Sequence, residues 1–215
     1  MQQTSIMDAL ILMESGQGAS ATALFDSIAH INAPTMTASE RARFVSWSLV
    51  HRADAQAATG RTDGLSEVAD SIRVAAASSV LARDRRLDHH VRGLLLASTG
   101  RDVAAIREFE AALYSLPLGY TRTNYELGRL YLRNGRPTDA VHVLQGALRG
   151  GLDGSNLYVN RTQLHELLAQ AWDSAGKGDS AAAHYAIVAD VWSKGDAGVR
   201  VRAESARARS AALRR

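Results

Sequence analysis

The chain has 215 residues, with 38 alanines, 17 glycines and 3 prolines but no cysteine, which excludes disulfide, thiolate-metal and cysteine-nucleophile chemistry. Its 46% apolar and 22% charged residues exclude a disordered chain. The net charge of +3 belongs to the end: residues 196–215 hold six Arg against Asp196 and Glu204, leaving −1 for residues 1–195. A balanced body lacks the coherent basic face of a nucleic-acid binder. No apolar run reaches the ~18 residues of a membrane span. The start, MQQTSIMDALILMESG, has no basic n-region and carries Asp8 inside its apolar stretch, unlike a secretory signal. A soluble, cytoplasmic chain, or a soluble piece of a larger one, is therefore expected, with no membrane partner.

In chain order, one pattern recurs around five glycines. Each Gly is followed by small or apolar residues at offsets of five, nine and twelve. The sets are Gly16–Ala21–Phe25–Ile28, Gly60–Leu65–Ala69–Ile72, Gly100–Ala105–Phe109–Ala112, Gly135–Ala140–Leu144–Ala147 and Gly176–Ala181–Tyr185–Val188. A small residue precedes each Gly by seven: Ala9, Ala53, Gly93, Gly128 and Ala169. A larger apolar residue precedes it by four in the units with Leu12, Leu96, Tyr131 and Trp172; the second unit has polar Gln56 there. These offsets predict a helix, a glycine turn, and a second helix with one face toward the first. Small residues let the two helices approach, and Phe109, Leu144 and Tyr185 fill the space beside them. Helix entries are expected at Asp102, at Pro137 and at Asp179-Ser180. The second unit predicts longer helices near 38–59 and 64–83. Extra residues fall at 34–45, 73–85 and 150–160, with the loop GGLDGSN at 150–156.

This arrangement resembles the tetratricopeptide repeat (TPR). The best unit reads Tyr125-Glu126-Leu127-Gly128-Arg129-Leu130-Tyr131, then Gly135, Ala140, Leu144 and Ala147. The one before it has Gly93, Leu96, Gly100, Ala105, Phe109, Ala112 and Pro117. The resemblance implies an all-α, right-handed superhelical solenoid of about five helical hairpins. Units lie near 2–33, 38–84, 86–118, 121–150 and 161–193, forming a repeat domain over 1–195. Residues 196–215 are expected to form a basic C-terminal capping helix, since solenoid ends need polar covers. The glycines are 44, 40, 35 and 41 residues apart, mostly wider than the family's repeat. Those spacings and the last unit resemble the repeat segments of larger bacterial signalling or regulatory proteins.

Catalytic motifs fail on inspection. His165-Glu166 would need a second His at position 169, which is Ala169, for a zinc-protease helix. Gly176-Lys177 lacks the following Ser or Thr and the earlier Gly of a phosphate loop. Gly150, Gly151 and Gly154 read as an interhelix loop. The seven His are scattered and read as structural or solvated. No enzyme, cofactor or metal site is expected.

The resemblance implies that a ligand lies in a concave groove lined by the first helix of each repeat. Its groove positions include Arg122, Tyr125, Arg129 and Arg133 in the fourth unit and Glu166, Gln170 and Asp173 in the fifth. They also include His90 in the third unit and Trp47 in the second. The three Arg are seven and four residues apart, on one helix face. Their forked, permanent charge suits an acidic peptide; equally, Glu166 and Asp173 are candidates to pair with them from the next helix. The tail Arg run reads as a solvated capping helix, or as a membrane or nucleic-acid contact. The implied function is a protein–protein interaction scaffold binding a peptide or partner domain. The other reading is a small-ligand-sensing or regulatory module of a larger enzyme or transcription regulator.

Overall fold

A computed structural model describes residues 2–31, 35–116, 121–150 and 159–215. Pro117 and most of the 150–156 loop lie outside the described residues. Eleven α-helices and one 3-10 turn occur among the described residues, with no strand. The chain divides into two compact units, Met1–Tyr114 and Ser115–Arg215.

The first unit contains α1 (Gln2–Glu14), α2 (Gly18–Ala29), α3 (Ala38–Ala58), α4 (Leu65–Ala76), α5 (Leu87–Ser98) and α6 (Asp102–Ala112). The second contains α7 (Thr121–Arg133), α8 (Pro137–Arg149), α9 (Arg161–Ser174), α10 (Gly178–Trp192) and α11 (Ala197–Leu213). Within each unit consecutive helices pack on one another, and α3 also meets α5 as α7 meets α9. The pairs α1/α2, α3/α4, α5/α6, α7/α8 and α9/α10 are five helical hairpins, and α11 covers the last.

One local device closes all five hairpins. Gly16, Gly60, Gly100, Gly135 and Gly176 have φ between 69° and 77°, the left-handed region that a Cβ disfavours. The residue after each Gly donates to the carbonyl five positions back, as Arg136 does to Tyr131 at 2.8 Å, and the Gly donates three back, as Gly135 does to Leu132 at 3.1 Å. This double bond pattern satisfies carbonyls that the helix end leaves open. The residue four before the Gly is the one whose carbonyl is bonded, and a large side chain recurs there. At Tyr131 the guanidinium of Arg136 lies 4.3 Å from the ring centroid. The second unit's Gln56 uses the same position differently. Its side-chain amide donates to the carbonyl of Asp63, bracing a longer turn that ends at Gly64.

The offsets from these glycines mark the core. Ala21, Phe25, Leu65, Ile72, Ala105, Phe109, Ala140, Leu144, Ala181 and Val188 are all buried, and Tyr185 is half-buried. Burying a Phe or Leu of this kind contributes roughly 1.5–3 kcal/mol. Close approach needs the small partners: a Cβ on Gly128 would stand 2.9 Å from Leu144 Cγ, and one on Gly93 would stand 2.8 Å from the Phe109 ring.

Two local expectations are corrected. Asp102 and Asp179 do not cap their helices; each lies in the first turn, after Arg101 and Lys177 respectively, where its charge favours the positive helix end. Pro137 does open α8. The second helix of unit two stops at Ala76 rather than running to 83. Buried Asp84 explains the stop. Its carboxylate accepts from Ser79 Oγ at 2.7 Å and from Trp47 Nε1 at 3.1 Å. Arg85 reaches the Ser79 carbonyl at 3.0 Å. These bonds fold residues 79–86 back onto α3.

Candidate functional site: the α7–α9 face

Helix α7 is amphipathic, with Leu127, Leu130 and Tyr131 buried and charged residues between them. Its register is held by buried Asn124, whose side-chain amide donates to the Val143 carbonyl of α8 at 2.9 Å. That leaves Tyr125, Arg129, Leu132 and Arg133 on one side. Helix α9 buries Leu164 and Leu168 and turns Glu166 and Gln170 the same way. Between these helices lies a cavity of about 320 Å³, lined by Tyr125, Arg129, Leu132, Arg133, Glu166, Leu167 and Gln170. Five of the groove residues expected from the sequence therefore meet at one cavity. Arg122 is about a turn before Tyr125 and does not line it.

The carboxylates near the cavity have partners that the sequence spacing did not assign. Glu166 receives two hydrogen bonds from Arg202 of α11, the one from Nε at 3.1 Å. Asp173 receives two from Arg209, at 2.6 and 2.7 Å. Glu166 and Asp173 are seven residues apart, as are Arg202 and Arg209, so two turns of α11 run in register with two turns of α9. These bonds tie both acids to α11. On α7 itself, Arg129 pairs with Glu126 at 2.9 Å.

Electrostatics follow from these contacts. Burial pushes the Tyr125 phenol above its usual range, and the charges of Glu126 and Glu166 add to this while Arg129 and Arg202 oppose it. Tyr125 is thus a neutral hydroxyl at pH 7, able to donate. The hydrogen bonds to Glu166 and Asp173 raise Arg202 and Arg209 respectively, so both stay charged.

Helix α11 covers the last hairpin. Asp196 caps it, accepting from the Val199 amide at 3.1 Å. Ala203 and Ala206 pack on Val188, Ala189 and Trp192, and Arg202 lies 4.2 Å over the Trp192 ring. Ser210 Oγ donates to the Ala182 carbonyl at 2.9 Å. Arg202 and Arg209 are the partners of Glu166 and Asp173 that the sequence reading missed; the matching seven-residue intervals were the available signal.

Trp47 and His90 lie in the other unit and are buried. His90 is fully enclosed, with Nε2 3.0 Å from Asp54 Oδ1 and its ring edge-on to Phe109. Trp47 is 5% exposed, donates to Asp84, and has Arg43 over its ring. Direct packing of α3 on α5 covers these positions, so they hold the core of the first unit together.

Among the described residues, no helix is long and apolar enough to cross a membrane. No family model and no curated protein matches the chain. Solved structures do. The chain is similar to a thermophilic TPR protein of Thermus thermophilus, with 19% identity, a TM-score of 0.59, and 96% of this chain and 98% of that one covered. It also aligns with the TPR-like repeats of a kinesin light chain from Podosopora anserina, with 17% identity, a TM-score of 0.49, and 99% and 93% covered. With the five glycine-closed hairpins, the first of these likenesses establishes the fold: the chain has an all-α fold of the tetratricopeptide-repeat type.

Proposed function

We propose that the chain is a non-catalytic scaffold that binds a peptide segment or partner domain along α7 and α9, and that the bound segment carries an acidic side chain. The charge arrangement at the cavity supports this reading most. Among the described lining residues Glu166 is the one acid, and Arg202 already holds it. Arg129 and Arg133 bring two guanidinium groups to the opposite wall. An incoming carboxylate meets forked donors suited to bidentate bonding, and the Tyr125 hydroxyl stands beside them. Leu132 and Leu167 supply apolar surface for a neighbouring side chain. Repeat folds of this kind present extended binding surfaces built from successive units.

The cavity's volume, at the lower end of small-molecule sites, favours as a second reading a small anionic ligand sensed by a regulatory module. Fluorescence anisotropy separates the two readings. Labelled peptides rich in Asp and Glu should bind at least tenfold more tightly than their Asn and Gln counterparts. Binding of small dicarboxylates with no acidic-peptide preference favours the sensor; indifference to ligand charge contradicts both.

A further inference from the structure

The side chain of Glu166 is only 17% exposed where it meets the α7–α9 cavity. Left alone, that carboxylate would face the cavity with a negative charge that water screens poorly. It would repel an incoming acid and compete with it for Arg129 and Arg133. Arg202 answers it from outside, since it is not among the described lining residues. Its guanidinium donates to both Glu166 oxygens, from Nε at 3.1 Å and from Nη2. The same group lies 4.2 Å from the Trp192 ring centroid, so an acid and an aromatic face hold it together. The charges of Arg202 and Glu166 both reach the Tyr125 phenol inside the cavity, with opposite effects on it.

We infer that Arg202 is a positioning residue for acidic ligands of this cavity: it cancels the Glu166 charge, occupies both its oxygens, and so sets the preference of the α7–α9 face for a carboxylate. This rests on the reading of that face as an acid-binding site. Helix α11 then determines specificity as well as covering the last hairpin. The neighbouring ion pair supplies the contrast. Arg209 holds Asp173 through the same two donors, Nε and Nη2. Asp173 is not among the described lining residues and lies two turns beyond Glu166, about 10.5 Å along α9. That is about a Debye length at 0.1 M salt. Were α11 a cover alone, the two arginines would matter alike to binding. With charge at Glu166 deciding, Arg202 outweighs Arg209.

The test uses the full chain and a labelled peptide rich in Asp and Glu, with its Asn and Gln counterpart, by fluorescence anisotropy at about 0.1 M salt. Both ion pairs are partly exposed, so their variants keep the fold, which a thermal melt verifies. Arg202→Gln should weaken binding of the acidic peptide about fivefold, as a bared charge across the cavity would. Adding Glu166→Gln to it should recover most of that loss, which a merely structural role for Arg202 would not allow. Arg209→Gln should weaken binding by less than about twofold. If the unaltered chain does not prefer the acidic peptide, the reading of the site fails and the role of Arg202 falls with it. If it does prefer that peptide, the reading stands and three results each overturn the role of Arg202 alone. These are unchanged affinity in Arg202→Gln, an equal loss in Arg209→Gln, and no recovery in the double variant.

Discussion

Arg209 of α11 grips Asp173 of α9 with both edges of its guanidinium, Nε to Oδ2 at 2.6 Å and Nη2 to Oδ1 at 2.7 Å. Seven residues earlier on both helices, Arg202 does the same to Glu166. Two of the six Arg of the tail are thus used internally, against acids of the preceding hairpin.

The ion pairs and the apolar cover of α11 should separate energetically. A double-mutant cycle on Arg202→Ala and Glu166→Ala should give a coupling of about 0.2–1 kcal/mol, because the pair is partly exposed and screened. Ending the chain after Lys194 should cost more, since Val188, Ala189 and Trp192 return to water at roughly 25 cal/mol per Å². Urea denaturation measures both. A truncated chain as stable as the full one would show that α11 is not a cover.

His90 should behave as a core residue. His90→Ala removes a hydrogen-bond partner of buried Asp54 and the ring packed on Phe109, and leaving a buried acceptor short of a partner costs about 1–3 kcal/mol. The check is the denaturation midpoint. A groove residue at the same position would lower binding and leave that midpoint in place.

Gly128 sits where helix propensity and packing oppose each other. Alanine in a helix is worth about 1 kcal/mol over glycine. Here its methyl would stand 2.9 Å from Leu144 Cγ, and Leu144 is fully buried. Overpacking of that kind costs about 1–3 kcal/mol, so Gly128→Ala should destabilise. Combining it with Leu144→Ala should cost less than the two single effects added together, because the clash is gone.

Stability should fall in mild acid through His165 and His184. Burial disfavours their charged forms, so their folded pKa values lie below the ordinary 6.5. The unfolded chain then binds more protons between the two values. The stabilisation is full above about pH 6.5 and is lost as pH falls through the folded values. The thermal midpoint should drop as the pH is lowered from neutral into mild acid, and His184→Gln should flatten that slope. An unchanged slope would mean the pair is not what titrates.

The hairpins were legible because each rests on a local rule. Gly16 to Gly176 need a left-handed residue, and the face five, nine and twelve residues later follows from helical period alone. The lining of the α7–α9 cavity was legible through the family resemblance, which implied groove positions at Tyr125, Arg129, Arg133, Glu166 and Gln170. What escaped was long-range. The partners of Glu166 and Asp173 are 36 residues away on a helix whose docking register no local signal sets. Trp47 and His90 share the groove register, but α3 and α5 pack together there and their polar atoms turn to Asp84 and Asp54. The end of α4 departs from its helical period because Ser79, Asp84 and Trp47 act together across 37 residues.

Reception of an acidic partner by the Arg pair on α7 is the central claim. Replacing Arg129 and Arg133 by Ala together removes that charge from the cavity wall. The Arg129–Glu126 pair lost with it is exposed on the Arg side, Arg133 is itself exposed, and contacts of such exposed side chains are each worth under about 1 kcal/mol. The most direct measurement pairs a thermal melt of this double variant with its affinity for an acidic peptide that binds the unaltered chain. The expected result is a melt little changed and an affinity lowered at least tenfold. Undiminished affinity in a variant that melts normally would contradict the claim.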